Sequence, residues 1–372
     1  MAGQTSAPSF LYVGTFTQHA PHGRGRAEGI YVFRLDPASG ALTHVQTMPE
    51  VANPSFLTLA PDQRHLYAVN AVPEIDGHPG GAVSAFSVDP ATGGLTLLNR
   101  QAAHGAGPCH VCVDATGRYV LVASYHGGSV AVLPIQGDGR LGPATDAVYY
   151  SGAGVDPVHQ DRPHAHSINL DPANRVALVC NQGLDKVFIY RFDPARGTLT
   201  SNADQPWAET RRGSGPRHLA FHPGGHFVYV IDEQGSSLTA FAYDAAAGTL
   251  REVQTVSTLP DGFSGPNACA DVHVHPSGRY VYGSNRGHDS LAIFAVDEET
   301  GRLSSLGHQS TRGRTPRNFT LDPTGTLLLA ANQDSDSIVA FRVDRETGQL
   351  TSLGTVADVP TPTCLVERQG GE

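Results

Sequence analysis

The chain has 372 residues, of which 16% are charged and 42 are glycine. This balance is typical of a turn-rich β protein and not of a helical or disordered chain. The net charge of −10 disfavours nucleic acid and anionic membranes as partners, because both require a basic surface. No run approaches 18 consecutive apolar residues, which excludes a transmembrane helix.

The chain begins MAGQTSAPSF, which lacks the basic and apolar regions of a signal peptide. Its five cysteines are odd in number and scattered, which predicts reduced thiols in a cytoplasmic protein. Cys109 and Cys112 form a C-x-x-C pair, but on one strand they would point to opposite faces. Neither redox chemistry nor zinc binding is therefore expected of them.

A turn signature of the form Asp-x-x-x-Gly recurs along the chain, as in DPASG from 36, DPATG from 89 and DRETG from 344. A leucine follows every copy, and an aromatic residue or a leucine precedes it by eight or nine positions. The six steps between these leucines average about 51 residues, which predicts seven copies of one structural unit. The leucines are Leu42, Leu95, Leu141, Leu199, Leu250, Leu303 and Leu350.

Within each unit, apolar and polar residues alternate with period 2, as in VSAFSVD from 83 and IVAFRVD from 338. This alternation is typical of β-strands, and the Asp-Pro and Thr-Gly pairs between the runs indicate hairpin turns. A second set of turns, such as DATG from 114, separates two further runs. Each unit is therefore predicted to form four antiparallel strands, lettered A (innermost) to D. Seven such units predict an all-β, seven-bladed β-propeller that spans residues 1–372 as one domain.

The number of turns predicts how the ring closes. The turn between strands A and B occurs six times and the turn between C and D seven times, so blade 1 begins at strand B, with FLYVGTF from 10. The C-terminal PTPTCLVE from 360 is predicted to supply strand A of blade 1, because this closure removes two exposed edges. The alternative is an open solenoid, but that would need capping repeats that the sequence lacks.

The connections B–C and D–A are long and irregular, as at 73–81 and 151–167, and they share one face of the propeller. Function is expected there, on variable loops held by a rigid scaffold. Alignment of the strand A starts and strand B ends places ionisable residues at this mouth of the tunnel. Because buried charge is costly, such a cluster is functional or fully self-paired. The candidates are His164, His166, Gln182, Arg217, His218, Glu233, Asp271, His273, Arg286, Arg317 and Asn318.

His164 and His166 are spaced to face one side of a strand. Either could act as a general base or acid, since imidazole titrates near neutral pH, or could bond a backbone carbonyl. A His-x-His pair also binds zinc, but no third ligand lies at close spacing, so no metal is predicted. Glu233 would activate water, orient a histidine or pair with an arginine.

Arg217, Arg286 and Arg317 are the best evidence for an anionic substrate, because guanidinium groups bind phosphate and carboxylate bidentately. The alternative is that they pair between blades with Asp232 or Asp271. No nucleophile elbow, Walker motif or dinucleotide fingerprint lies in a strand-to-helix context. Neither a serine nucleophile nor a nucleotide cofactor is therefore expected.

Five stretches that carry these candidates resemble one known family, the bacterial seven-bladed lactonases. That family includes propeller-type 6-phosphogluconolactonases and the related fungal carboxy-muconate cyclases. The resemblance covers nearly the whole chain, and it implies a tunnel-mouth site with a histidine, arginines and a glutamate. On this sequence those positions are His164 or His166, Arg217, Glu233, Arg286 and Arg317. The five stretches are PHAHS from 163, GPRHLAFHP from 215, DEQGSS from 232, ADVHVHPSGRYVYGSNRGHDS from 270 and TPRNFTLDPTG from 315.

Residues and resemblance together predict a metal- and cofactor-independent lactonase for an anionic sugar lactone, with 6-phosphogluconolactone the first candidate. The expected catalytic residues are His164, His166, Glu233 and Arg286. The expected substrate-binding residues are Gln182, Arg217, His218, Asp271, Arg317 and Asn318. The protein is expected to be a cytoplasmic monomer or weak dimer.

Two other functions remain open at this point. A lactonising isomerase of the muconate type would use the same arginines on carboxylates. A non-catalytic binding scaffold would show an exposed apolar patch on one face, and the sequence shows none.

Overall fold

The computed structural model describes residues 8–20, 23–75 and 77–370. Within these ranges, seven four-stranded antiparallel sheets surround a central tunnel, which confirms the seven-bladed β-propeller. The inner strands of consecutive blades contact one another around the whole ring, from the last blade to the first. Residues 1–7, where no signal peptide is expected, lie outside the described ranges. The described part of the chain has no helix that is long and apolar enough to cross a membrane.

Strands A and B form the inner half of each blade, and both sets follow here in the order of blades 1 to 7. Strand A consists of Pro362–Arg368, Leu57–Leu59, Pro108–Val113, Ala165–Leu170, Pro216–Phe221, Ala268–Val274 and Pro316–Leu321. Strand B consists of Ser9–Thr15, His65–Asn70, Tyr119–Ser124, Val176–Asn181, Phe227–Asp232, Tyr280–Arg286 and Leu327–Asn332.

Strands C and D form the outer half of each blade. Strand C consists of Gly29–Leu35, Ala82–Val88, Ser129–Pro134, Lys186–Asp193, Ser237–Asp244, Ser290–Val296 and Ser337–Val343. Strand D consists of Leu42–Pro49, Leu95–Ala102, Asp146–Tyr149, Thr198–Ser201, Thr249–Ser257, Leu303–Ser310 and Leu350–Asp358.

Several short elements add to this pattern. Trp207–Glu209 pairs with strand C of blade 4 as an extra strand. His19–Ala20 pairs with Gly23–Arg24, and Glu74–Ile75 pairs with His78–Pro79. Two 3₁₀ turns follow strand B, at Gln182–Leu184 in blade 4 and at Gln333–Ser335 in blade 7.

Blade 1 combines both ends of the described chain, as predicted. Pro362–Arg368 pairs antiparallel with Ser9–Thr15, and Tyr12 lies opposite Val366. Cys364 and Leu365 are buried in the two cores on either side of this blade. The closing strand therefore completes the first sheet and also fills the contacts of blade 1 with its two neighbours.

The Asp-x-x-x-Gly turns between strands C and D are structural. In the turn from 89, the Asp89 carboxylate accepts hydrogen bonds from the backbone N–H of Ala91 and Thr92. Gly93 ends the turn with a φ of +72°, a conformation that glycine adopts without steric cost. The motif recurs because each blade needs the same tight reversal, and this accounts for its repetition without a functional role.

Each interface between neighbouring blades has its own apolar core, and strand B is buried because a blade packs on each of its faces. In four blades a buried strand B tyrosine also donates a hydrogen bond to the C–D turn glycine carbonyl of the next blade. These pairs are Tyr12–Gly93, Tyr67–Gly139, Tyr229–Gly301 and Tyr282–Gly348. The core and these bonds together fix each blade against the next.

The repeated leucine that reveals the period is held by the preceding blade. Gln254 on strand D of blade 5 accepts a hydrogen bond from Leu303 N at 2.8 Å and donates one to Leu303 O at 3.2 Å. Gln46 binds Leu95, Asn99 binds Leu141 and Gln205 binds Leu250 in the same two-bond way. A single side-chain amide thus satisfies both backbone groups of the next blade's leucine.

Gln254→Ala is expected to lower the free energy of unfolding by about 1–2 kcal/mol, because Leu303 loses both hydrogen-bond partners. The matched control is Gln309→Ala, since Gln309 donates to the carbonyl of its own neighbour Ser310 on an exposed strand. The control should stay within about 0.5 kcal/mol of the wild type. Urea unfolding measures both variants, and equal losses would contradict a specific clamp between blades.

Candidate active site

A β-bulge at the start of strand A determines which side chains enter the tunnel mouth. In blade 3, Pro108 pairs with Ser124 and His110 with Ala123, so Cys109 is an extra residue in the ladder. A bulge re-aims the side chain that it inserts. The same register shift occurs in five other blades, at Thr363, His166, Arg217, Ala270–Asp271 and Arg317.

Three of these bulged residues, Cys109, His166 and Arg317, line a pocket on the face of the irregular loops, together with residues at or just after the end of strand B. The apolar part of its wall comes from blades 1 to 3 and the charged part from blades 4 to 7. The lining residues are Phe16, Ser55, Ala71, Gly107, Cys109, Tyr125, His126, His166, Glu233, Arg286 and Arg317.

Glu233 is the carboxylate of this pocket, and two arginines hold it. Its Oε2 lies 2.9 Å from Arg217 Nε, and its Oε1 lies 2.8 Å from Arg286 Nη2. Burial alone would raise the pKa of Glu233, but the charges of Arg286 and Arg217 outweigh it and lower the pKa to about 2. Glu233 is therefore ionised at neutral pH, and it pairs with the arginines in place of Asp232 or Asp271.

His166 lies beside Glu233, with 4.0 Å between His166 Nε2 and Glu233 Oε2. Burial, with the charges of Arg217 and Arg317, lowers the pKa of His166 well below its ordinary value. The imidazole is therefore neutral at pH 7 and has a nitrogen that can accept a proton. A neutral histidine next to a carboxylate is an arrangement suited to a general base, because the carboxylate stabilises the imidazolium that forms.

Arg317 differs from the other two arginines because its guanidinium has no carboxylate within ion-pair distance among the described residues. Its Cζ lies 5.3 Å from the centre of the Phe16 ring. Burial and the nearby charges of Arg217 and Arg286 lower the pKa of Arg317 to about 9. Arg317 therefore stays protonated at pH 7, and a bound anion would relieve this repulsion.

Cys109 lines the same pocket but is not activated as a nucleophile. Its Sγ donates to His166 O at 3.3 Å, and burial raises the pKa of the thiol to about 12. Nucleophilic cysteines have the opposite shift, toward the thiolate. Among residues 8–20, 23–75 and 77–370, no three His, Cys, Asp or Glu side chains are close enough together to hold one metal ion.

Four candidates from the sequence lie one layer deeper and border a second cavity between the inner strands. They are His218, Asp271, His273 and Asn318. His218 and Asn318 directly follow the bulged Arg217 and Arg317, and Asp271 directly follows Ala270. His218 Nδ1 lies 2.8 Å from Asp271 Oδ1, and Asn318 Nδ2 donates to Asp271 Oδ2. The sequence alignment did not separate these two layers, because periodicity does not reveal the bulge between them.

Three further candidates lie outside the pocket wall: Arg217, which lies behind Glu233, His164 and Gln182. The His164 ring stacks on Tyr125 with 4.1 Å between centroids, and its Nδ1 lies 3.0 Å from Tyr125 O. Gln182 is buried in the 3₁₀ turn after strand B of blade 4, and its side-chain amide has no hydrogen-bond partner among the described residues. His164 and His166 do not face one side, because the bulge at His166 interrupts the period-2 alternation.

Some residues of the pocket wall were not among the sequence candidates. Phe16, Ser55, Cys109 and Tyr125 occupy the same aligned positions as the charged residues, but only polar and ionisable side chains in the later blades were selected. The repeat register was therefore sufficient to find them. His126 lies one residue beyond the aligned position, and no pattern in the sequence marks it.

The fold and this pocket define a class of propellers that carry a charged small-molecule site at one tunnel mouth. Residues 10–367 match the family model described as lactonase, 7-bladed beta-propeller. The chain therefore belongs to the seven-bladed β-propeller lactonase family. It is similar to the 6-phosphogluconolactonase of Bacillus subtilis, with 37% identity over 311 residues that cover 84% of each chain.

Solved structures give the same result. A putative 6-phosphogluconolactonase from Bacteroides fragilis has a TM-score of 0.90 and 36% identity, over 99% of this chain and 100% of that one. The periplasmic gluconolactonase of Pseudomonas aeruginosa has a TM-score of 0.89 and 34% identity, over 98% of this chain and 100% of that one. The family thus includes proteins named for phosphorylated and for unphosphorylated sugar lactones.

The ion pairs of Glu233 make the free energy of unfolding depend on pH. Because the folded pKa of about 2 lies below the ordinary value of 4.5, Glu233 stabilises the fold above pH 4.5 and this contribution is lost as pH falls toward 2. Glu233→Gln is therefore expected to lose up to about 3 kcal/mol of unfolding free energy at pH 6, and its deficit should shrink at pH 3. Urea unfolding at both pH values measures this.

The exposed strand D residue Glu252 provides the control, and Glu252→Gln should lie within about 0.5 kcal/mol of the wild type at both pH values. A Glu233→Gln deficit that is the same at pH 3 and pH 6 would contradict the role assigned to its charge.

Proposed function

We propose that this protein hydrolyses 6-phosphogluconolactone to 6-phosphogluconate. The observation that carries the proposal is the charge of the pocket wall, where Arg286 and Arg317 contribute +2 and Glu233 contributes −1, while the enclosed Arg217 adds a further positive charge directly behind Glu233. A phosphate monoester carries about −1.5 to −2 at pH 7. The excess positive charge therefore matches a phosphorylated substrate better than a neutral sugar lactone.

In this proposal Arg317 binds the phosphate of the substrate. Its guanidinium lines the pocket and has no carboxylate partner within ion-pair distance among the described side chains, so no internal pair must be broken when the anion binds. Charge-assisted, bidentate contacts between arginine and phosphate are among the stronger polar contacts in proteins. The phosphate then orients the lactone ring toward His166 and Arg286.

The chemical step uses water and needs no covalent intermediate. His166 takes a proton from water as its oxygen attacks the lactone carbonyl carbon, and Glu233 stabilises the imidazolium that results. Arg286 stabilises the negative charge on the carbonyl oxygen. When the tetrahedral intermediate collapses, the bond from the carbonyl carbon to the ring oxygen breaks, and His166 returns the proton to that oxygen. The product carboxylic acid then ionises.

The named relatives support this assignment. The Bacillus subtilis relative is named a 6-phosphogluconolactonase, and the Pseudomonas aeruginosa relative is named a gluconolactonase. Of these two substrates, Arg317 favours the phosphorylated one, because no carboxylate among the described residues forms an ion pair with its guanidinium. A cytoplasmic location stays a prediction from the cysteine content of the sequence, and a monomer or weak dimer also stays a prediction.

Arg317→Ala is expected to lower kcat/KM for 6-phosphogluconolactone by about 10- to 100-fold, because it removes the cation that binds phosphate. Hydrolysis of unphosphorylated gluconolactone by the same variant should change by less than about threefold. Both rates are measured above spontaneous hydrolysis. The control is Arg314→Ala, since Arg314 is exposed and donates to Asp334 O.

Two outcomes would contradict this assignment. Equal losses on both substrates would mean that Arg317 does not recognise phosphate. No acceleration by micromolar wild-type enzyme would exclude the substrate. The wild-type rate should also survive EDTA, and loss of activity only with EDTA would show that the site uses a metal.

The rate of lactone hydrolysis should stay high at mildly acidic pH. Because the pKa of His166 lies well below its ordinary value, the imidazole remains a free base as pH falls from 7.5 to 6. kcat/KM for gluconolactone, which has no phosphate to titrate, should therefore change by less than about twofold over this range. A fall centred near pH 6.5 would contradict this prediction. The titratable or charged side chains that face His166 are Cys109, Tyr125, Arg217, His218, Glu233 and Arg317.

The identity of the base is tested by two matched substitutions. His166→Gln should lower kcat by about 10²- to 10⁴-fold, as expected for loss of a general base. His164→Gln should retain activity within about fivefold, because His164 packs behind Tyr125. The reverse result would assign the base to His164.

A further inference from the structure

Asp271 is a buried carboxylate one layer below the pocket, and it accepts hydrogen bonds from three blades. Its Oδ1 accepts from His218 Nδ1 at 2.8 Å and from Val272 N at 3.1 Å. Its Oδ2 accepts from His273 Nε2 at 3.0 Å and from Asn318 Nδ2. The carboxylate therefore has donors on both oxygens, and it lies outside the pocket wall.

His218 connects this carboxylate to the charged residues above it. Its Nδ1 faces Asp271 Oδ1, and its Nε2 lies 3.2 Å from Arg217 Nη1. A guanidinium can only donate, so Nε2 must accept and the single ring proton must be on Nδ1. Burial and the charge of Arg217 lower the pKa of His218 to about 4, which agrees with a neutral ring.

Arg217 is itself almost fully enclosed, with 3% of its side chain exposed. Its Nη1 donates to Ala270 O as well as to His218 Nε2, so two acceptors fix the plane of the guanidinium. The same guanidinium places Nε 2.9 Å from Glu233 Oε2, and Glu233 lies beside His166. A chain of contacts thus runs from Asp271 to the proposed base.

We propose that Asp271 and His218 are positioning residues: Asp271 holds the proton on His218 Nδ1, which leaves Nε2 as the acceptor that orients Arg217 and, through it, Glu233. They would act on catalysis without touching the substrate, in contrast to the binding role expected from sequence. The expected effects on activity rest on the proposed lactonase function, whereas the tautomer of His218 does not depend on it.

Asp271→Asn tests the proposal because the amide of asparagine has only one oxygen and cannot accept hydrogen bonds from both His218 and Asn318 in the way the two carboxylate oxygens do. If its oxygen faces His218, its N–H groups face the donor Asn318 Nδ2. If its N–H faces His218 Nδ1, the ring proton moves to Nε2 and points at Arg217. We expect kcat to fall about 10- to 100-fold, with KM within about threefold. A KM that rises with kcat unchanged would mean direct substrate binding and would overturn the proposal.

The double variant Asp271→Asn/Asn318→Asp provides the rescue. The carboxylate introduced at position 318 would accept from the amide at position 271, so the oxygen of that amide is free to accept from His218 Nδ1. The new carboxylate would also still accept from Leu365 N, as Asn318 does now. We expect the kcat of the double variant to be at least tenfold higher than that of Asp271→Asn. A folded double variant with no recovery of kcat would count against the tautomer argument.

Two substitutions of His218 test the link to Arg217 if the Asp271 variants do not fold. His218→Gln places an oxygen near the former Nε2, whereas His218→Asn keeps a donor near Nδ1 but has no acceptor for Arg217. kcat should therefore be at least about fivefold higher for His218→Gln than for His218→Asn. Equal kcat values would overturn the proposal.

His273→Gln is the matched control, because His273 binds the other oxygen of Asp271 and is half-exposed. It should leave kcat within about twofold of the wild type even if it lowers the melting temperature. A loss as large as that of Asp271→Asn would show that the carboxylate network acts only through stability, and would overturn the proposal.

The tautomer can be measured without any substrate. In the protein labelled with ¹⁵N-histidine, NMR distinguishes protonated from unprotonated ring nitrogens, and the signals absent from His218→Asn identify His218. We expect Nδ1 to be protonated and Nε2 unprotonated at pH 7. A proton on Nε2 would overturn the proposal. If 6-phosphogluconolactone is not a substrate, this NMR measurement still decides whether His218 carries its proton on Nδ1.

Discussion

The extra residue at the start of the inner strand is the constraint on which the site depends. In a regular strand, neighbouring side chains would point to opposite faces, and none would be directed into the mouth of the tunnel. The bulges at Cys109, His166 and Arg317 turn these side chains toward a common space, which residues at the ends of strand B also line. Because the backbone is similar from blade to blade, the asymmetry of the pocket comes largely from the choice of side chain at these two repeated positions.

That choice produces a pocket whose charge is incompletely neutralised. Glu233 neutralises part of the field of Arg217 and Arg286, and Arg317 is left to a ligand. Enclosed cations of this kind are unfavourable for folding, so the stability must come from elsewhere. It comes from the seven apolar interfaces between blades and from the amide and tyrosine contacts that join them.

The sequence was sufficient for the fold, because a repeat of about 51 residues with two turns per copy has few other solutions. The closure of blade 1 followed from the unequal numbers of the two turns. The site was predictable to the level of aligned positions, which located His166, Glu233, Arg286 and Arg317. The sequence did not predict how far below the pocket each side chain lies. His218 and Asp271 are each one residue along the chain from the position that the alignment assigned to the pocket, and the bulge that separates the two layers does not change the periodicity of the sequence. His126 was also not predicted, since it lies one residue beyond the aligned position that repeats in each blade.

The joining of Ser9–Thr15 with Pro362–Arg368 has a consequence for the order of assembly on the ribosome. Six of the inner strands can pair with their blades as they emerge, but Ser9–Thr15 keeps one edge unpaired until Pro362–Arg368 has been synthesised. Until then the nascent chain presents an edge that another chain could extend by strand addition. Once the ring has closed, opening any one blade interface strains all the others, so the pairing of Pro362–Arg368 converts a row of separable sheets into one cooperative unit.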